Sequence, residues 1–196
     1  FYRAVEIKEE GFKIISQKIT NIIDDKLPDF CKRLEEEVNV KFKDYLVSTE
    51  FYSQFPNYPI TIELGRKNYP DIDLIYNLKV RISLLTNCFT VFYEEISIHK
   101  SCSSMITKFE PVRLRLISSK SEIIDPGGVN FYTLIDIVKK CFTDYKFVGH
   151  HLLFTNLIAN RVPYGVFDYI PKKDFPIYAF LFHNEYIDFD SVFVTL

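Results

Sequence analysis

Asp71 and Asp73 stand at alternate positions in the stretch "PDIDLIY". On an extended strand, residues two apart point to the same side, so both carboxylates share one face. Two carboxylates so placed can hold a divalent cation beside a phosphate. A third acid from a neighbouring strand, Glu94 or Glu95, would complete a metal-dependent phosphoryl-transfer or nuclease-like site. The turn that would grip the phosphate is missing, because Gly65 is followed by Arg66 and lies only six residues before Asp71. Asp188 and Asp190 in "YIDFDS" repeat the spacing, so the pattern arises readily in this composition. The plain reading is a polar strand start after Pro70, with Asp73 on a solvated face.

His150 and His151 are the other conspicuous pair, two of only four histidines. Adjacent residues point to opposite faces of a strand, or about 100° apart around a helix, so the two imidazoles do not aim at one metal ion. The sequence therefore predicts one packed, hydrogen-bonded histidine and one wet neighbour. Cys31, Cys88, Cys102 and Cys141 contain no C-x-x-C pair and so neither a zinc knuckle nor a thioredoxin-type motif. A chain of this length does not need disulfide staples, and reduced, mostly buried thiols are the expectation. "DPGGVN" lacks the lysine and glycine spacing of a phosphate-binding loop, and Ser101, Ser103 and Ser104 sit in no nucleophile elbow. No motif requires a cofactor or a metal.

Composition narrows the remaining classes. The chain has 196 residues, 47% of them hydrophobic and 26% charged, which suits one globular domain with a real core. Nineteen Phe and thirteen Tyr, with no Trp, predict a core built largely of aromatic rings. A net charge of −2 argues against a nucleic-acid partner bound by bulk electrostatics. No apolar run reaches the roughly 18–20 residues of a membrane span, and a soluble, cytoplasmic protein is expected.

The elements that would position these residues follow from periodicity. Ile15, Ile19, Ile22 and Ile23 recur at helical spacing, and past Pro28 a second helix carries Phe30, Leu34, Val38, Phe42, Tyr45 and Leu46 on one face. Beyond residue 58 the period changes to two. Ile60, Ile62 and Leu64 alternate, and Ile72, Leu74, Tyr76, Leu78, Val80, Ile82 and Leu84 mark a long strand whose other face, with Asn77, Lys79, Arg81 and Ser83, reads as solvated. In "CFTVFYEEISIHK" the phase slips at Glu94-Glu95, the signature of a β-bulge. "VRLRLIS" sets Val112, Leu114 and Leu116 against Arg113, Arg115 and Ile117. A helix over residues 131–145, with Asn130 as its N-cap, carries Leu134, Ile135, Val138, Cys141 and Phe142 inward. "YGVFDYI", "PIYAFLF" and "YIDFDSVFV" read as strands.

The prediction is one α+β domain over residues 1–196, a mainly antiparallel sheet packed by two N-terminal helices and one later amphipathic helix. Its divisions are a helical layer over 1–50, antiparallel strands over 58–118, and a helix with C-terminal strands over 119–196. With no complete catalytic constellation, the leading expectation is a non-enzymatic protein-binding module, in its most concrete form an immunity-type neutraliser of a protein toxin. Tyr164, Asp168, Tyr169, Asp174, Tyr178, Asp188 and Asp190 would form its acidic, aromatic surface, suited to a protein partner with a basic cleft. The alternative is the metal-dependent enzyme built on Asp71, Asp73 and Glu94 or Glu95.

Overall fold

The computed structural model describes residues 13, 14, 17, 29–49, 57–100, 112–159, 163, 174–182 and 192–195. Lys13, Ile14 and Gln17 are helical; the other positions of the first expected helix lie outside the described residues. Helix α1 (Asp29–Lys41) follows and buries Cys31, Leu34 and Val38, spaced three and four apart along one face. It stops earlier than periodicity suggests. The chain turns at Phe42, and Leu46–Ser48 become strand β1, pairing with the open edge of the next strand instead of adding a helical turn. Tyr45 and Leu46, expected inside, are consequently exposed.

Strands β2 (Asn57–Asn68), β3 (Ile72–Ser83), β4 (Cys88–His99) and β5 (Val112–Ser118) form the antiparallel meander that the alternating stretches predict. A short 3₁₀ turn, Pro126–Gly128, leads into helix α2 (Val129–Cys141). Strand β6 (Lys146–Phe147) then runs parallel to the start of β4, and helix α3 (His150–Thr155) follows it. Strands β7 (Leu157–Ile158) and β8 (Phe175–Pro176) make a separate two-stranded ribbon, helix α4 is Ile177–Leu181, and β9 (Val192–Val194) lies parallel on β5. Among the described residues, the main sheet has seven strands in the order β1-β2-β3-β4-β5-β9, with β6 beside β5 on β4. The architecture is α+β. Among the described residues, no helix is long and apolar enough to cross a membrane.

Both faces of the sheet are covered. On one, Tyr58, Ile60 and Ile62 of β2, Leu78, Val80 and Ile82 of β3, and Phe89, Val91 and Tyr93 of β4 pack against α1 and α2. On the other, Cys88, Phe92 and Ile117 pack against Leu153 and Phe154 of α3 and against Tyr178 and Phe182. Each such side chain, taken out of water, contributes roughly 1.5–3 kcal/mol.

Four expectations are overturned, three of them by the second layer. The supposedly solvated face of β3 is inside: Asn77, Lys79, Arg81 and Ser83 are all buried. "PIYAFLF" is mostly helix, since only Phe175 and Pro176 pair before the chain winds into α4 and sets Tyr178 in the interior. On β5 the inside residue is Ile117, while Leu116 is 37% exposed, because Ile117 faces the second core. The expected bulge at Glu94-Glu95 is absent, as β3 and β4 pair without interruption from Ile72↔His99 to Ile82↔Phe89. The irregularity lies on β2 instead, between Glu63 and Gly65. "YGVFDYI" falls outside the described residues.

Candidate functional site

The anticipated carboxylates do not meet. Asp71 precedes β3 and is exposed, and its backbone carbonyl accepts the Lys100 N–H at 2.9 Å. The Asp73 carboxylate lies 2.6 Å from Lys100 Nζ. Glu94 pairs across the sheet with Asn77, four positions along β3 from Asp73, a separation of roughly 13 Å at strand spacing. Its carboxylate is fully buried against Lys79 Nζ at 2.8 Å, Asn77 Nδ2 at 3.2 Å and Arg115 Nη1 at 3.5 Å. Glu95, one residue on, faces the opposite side. Among the described residues, no three His, Cys, Asp or Glu side chains converge as metal ligands.

His150 opens α3 with its ring buried, and Nε2 lies 2.7 Å from the Thr195 carbonyl oxygen. Burial holds its pKa below the usual histidine value. His151 is exposed. Of the tyrosines and acids expected to make a binding surface, Asp174 is exposed, whereas Tyr178 is fully buried and stacks on Phe154 at 4.4 Å between ring centroids. Tyr178 therefore cannot contribute to a surface. Tyr164, Asp168, Tyr169, Asp188 and Asp190 lie outside the described residues.

The structure shows a different place where polar and aromatic groups gather. Along β4 the side facing α1 and α2 reads Phe89, Val91, Tyr93 and then Glu95, a carboxylate where the alternation asks for an apolar side chain. Glu95 pairs with Tyr76 on β3 and with Leu116 on β5, and Tyr76 pairs in turn with Gly65 on β2. Helix α2 does not extend over this row. Residues 120–124 cover it in part, leaving a pocket of about 270 Å³ lined by Tyr76, Tyr93, Glu95, Leu116, Ser118 and the 120–124 turn. Lys120 and Glu122 stand exposed on its rim.

Tyr76 is only 6% exposed, yet its hydroxyl has no hydrogen-bond partner among the described residues, and neither does the partly buried Glu95 carboxylate. Burial first, and the nearby Glu95 charge second, push the Tyr76 phenol above its ordinary pKa. Lys67 Nζ lies 5.8 Å from the Tyr76 ring centroid. Tyr93, the pocket's inner wall, is fully engaged: its hydroxyl donates to Asp125 Oδ2 and its ring stacks on Phe131.

Phe131 also borders a second recess. A groove of about 440 Å³ runs between α2 and the start of α3, with Tyr132, Ile135, Phe147 and His151 among its walls. Tyr132 is 63% exposed and Phe147 is 37% exposed. Ser118 lines the pocket and Ser119 the groove, so the two openings flank the same short segment. No family model, curated protein or solved structure matches the chain.

Proposed function

We propose that the chain is a non-enzymatic protein-binding module whose contact face carries the groove between α2 and α3 together with the adjoining Tyr76–Glu95 pocket. The observation that carries this reading is the exposure of Tyr132 and Phe147 on the two walls of one groove. Large aromatic side chains left in water around a recess, with polar groups close by, are the ingredients of an interface core with a polar rim. Asp136 and Lys139 of α2 supply such polar groups here. An immunity-type neutraliser of a protein toxin is the most specific form of the reading. It would seat a basic patch of its target over Glu95 and Glu122, the acids of this same face.

The metal-dependent alternative needs Asp73 to meet Glu94 or Glu95, and the β3–β4 register favours no such meeting. A pull-down of purified chain from its native lysate, followed by affinity measurement on the recovered partner, tests the binding reading. A stoichiometric protein partner whose affinity falls at least about tenfold in Tyr132→Ala and Phe147→Ala, with folding intact, is the expected result. A partner bound equally well by both variants would move the contact face elsewhere. No partner, together with Mg²⁺-dependent thermal stabilisation that Asp71→Ala/Asp73→Ala abolishes, would replace the module with the enzyme.

A further inference from the structure

We infer that the Tyr76–Glu95 pocket receives a cationic side chain, an arginine or lysine, from the protein partner. This deepens the binding reading above and rests on it. Among the described residues, two groups on the pocket wall lack partners: the Glu95 carboxylate and the hydroxyl of Tyr76, a side chain more than nine-tenths buried. A cation entering the pocket forms a charge-assisted hydrogen bond to the Glu95 carboxylate, while the phenol oxygen of Tyr76 accepts another.

The lysines nearby do not already fill this role. Lys120 and Lys67 are exposed, and neither forms an ion pair with Glu95. A charge solvated at the rim interacts weakly with its surroundings, whereas one held against Glu95 is screened far less. The sign of the ligand is therefore set by the wall and not by the rim. Size points the same way. About 270 Å³ is below the usual range for a whole small-molecule ligand, and it suits the end of one side chain delivered on a larger body. Gly65 pairs with Tyr76 across β2 and β3, and the Ile124 side chain comes within 3.7 Å of where a Cβ at Gly65 would stand, closing that flank of the pocket.

The test is an NMR titration of the isotope-labelled full chain with N-acetyl-arginine amide, with N-acetyl-lysine amide and neutral N-acetyl-glutamine amide run alongside. Saturable shifts at the amides of Tyr76, Glu95, Ser118 and residues 120–124 are expected with a cationic amide and not with the neutral one. They should weaken at least about tenfold in Glu95→Gln. Tyr76→Phe keeps the ring and should weaken them by a smaller factor, about three- to tenfold. A response to the glutamine amide equal to that of the cations, or shifts that persist in Glu95→Gln, would overturn the inference. The partner itself separates this inference from the reading beneath it. If the partner binds Glu95→Gln as tightly as the wild type, the pocket is not its docking point and the module reading stands. If no partner exists, the module reading fails and the inference falls with it, even where the cationic amides bind and require Glu95.

Discussion

Tyr93 and Phe131 stack with their ring centroids 5.5 Å apart, Tyr93 lining the pocket and Phe131 the groove. Asp125 fixes both partners. Its Oδ2 accepts the Tyr93 hydroxyl and, at 3.0 Å, the backbone N–H of Phe131, while Oδ1 accepts the N–H of Asn130 at 3.1 Å. A single buried carboxylate thus satisfies two N–H groups of the first turn of α2 and tethers that turn to β4.

Asp125→Ala removes all three acceptor contacts and leaves buried donors unpaired. It should destabilise the fold by about 2–4 kcal/mol, the sum of a lost cap and an orphaned phenol. Chemical denaturation would measure this. Asp125→Asn retains an acceptor and should lose less. Equal loss in both variants would show that the carboxylate's charge, rather than its acceptor geometry, holds the wall together.

The sequence makes the helical face of α2 legible, and it suggests Asn130 as the cap. Asp125 takes that role from five residues upstream, across the glycine turn where Gly127 and Gly128 have φ near +70°. A capping side chain is recognised by its spacing to the helix, and the turn breaks that spacing. The first layer of the fold was readable because one face of β2, β3 and β4 alternates cleanly. The second layer was not, because a strand buried on both faces and lined by Asn77, Lys79 and Arg81 has the same pattern as a half-solvated one. The pocket did leave a mark. Glu95 interrupts the inward-facing series of β4, and Ile96 and Ile98 continue on the face of Phe92. This reads as a bulge when only periodicity is considered, although the ladder itself never shifts.

The second layer carries the next prediction. Glu94 and Lys79 are both buried and lie 2.8 Å apart, with Arg115 Nη1 3.5 Å from the same carboxylate. Removing one member of a buried pair strands the other charge, so Glu94→Ala should destabilise by about 3–5 kcal/mol. Replacing both by apolar residues of similar size, Glu94→Leu with Lys79→Met, should cost less than the single change, because no stranded lysine remains. A double-mutant cycle on Glu94→Leu and Lys79→Met, with each single change measured beside the pair by urea unfolding, reads the coupling. A double variant as unstable as the sum of the singles would mean that Lys79 and Glu94 act separately.

Thiol reactivity should rank by exposure. Burial pushes the Cys31 thiol up to about 12, and Cys88, buried as well, is also raised. Cys141 is raised for the same reason but lies partly open. Thiolate is the reactive form, so alkylation at neutral pH should label Cys141 well before Cys31 and Cys88, which should react only on unfolding. Peptide mapping after timed alkylation provides the order. Early labelling of Cys31 would show that the α1 face of the core opens in the native state.

His150 sets an acid limit on stability. Its ring is buried and its Nε2 binds the Thr195 carbonyl, linking the start of α3 to the residue that follows β9. Burial depresses the folded-state pKa below the ordinary 6.5 of the unfolded chain. The unfolded state therefore binds more protons in the window beneath that value. The His150 contribution is complete above about pH 6.5 and declines as pH falls toward the folded-state pKa. His150→Gln keeps a hydrogen-bonding side chain but cannot take up a proton. It should lower stability somewhat at pH 7.5 and flatten the drop between pH 6.5 and 5 relative to the wild type. Thermal unfolding of both proteins across that range decides the matter. Parallel curves would assign the acid loss to other groups and leave His150 a purely structural contact.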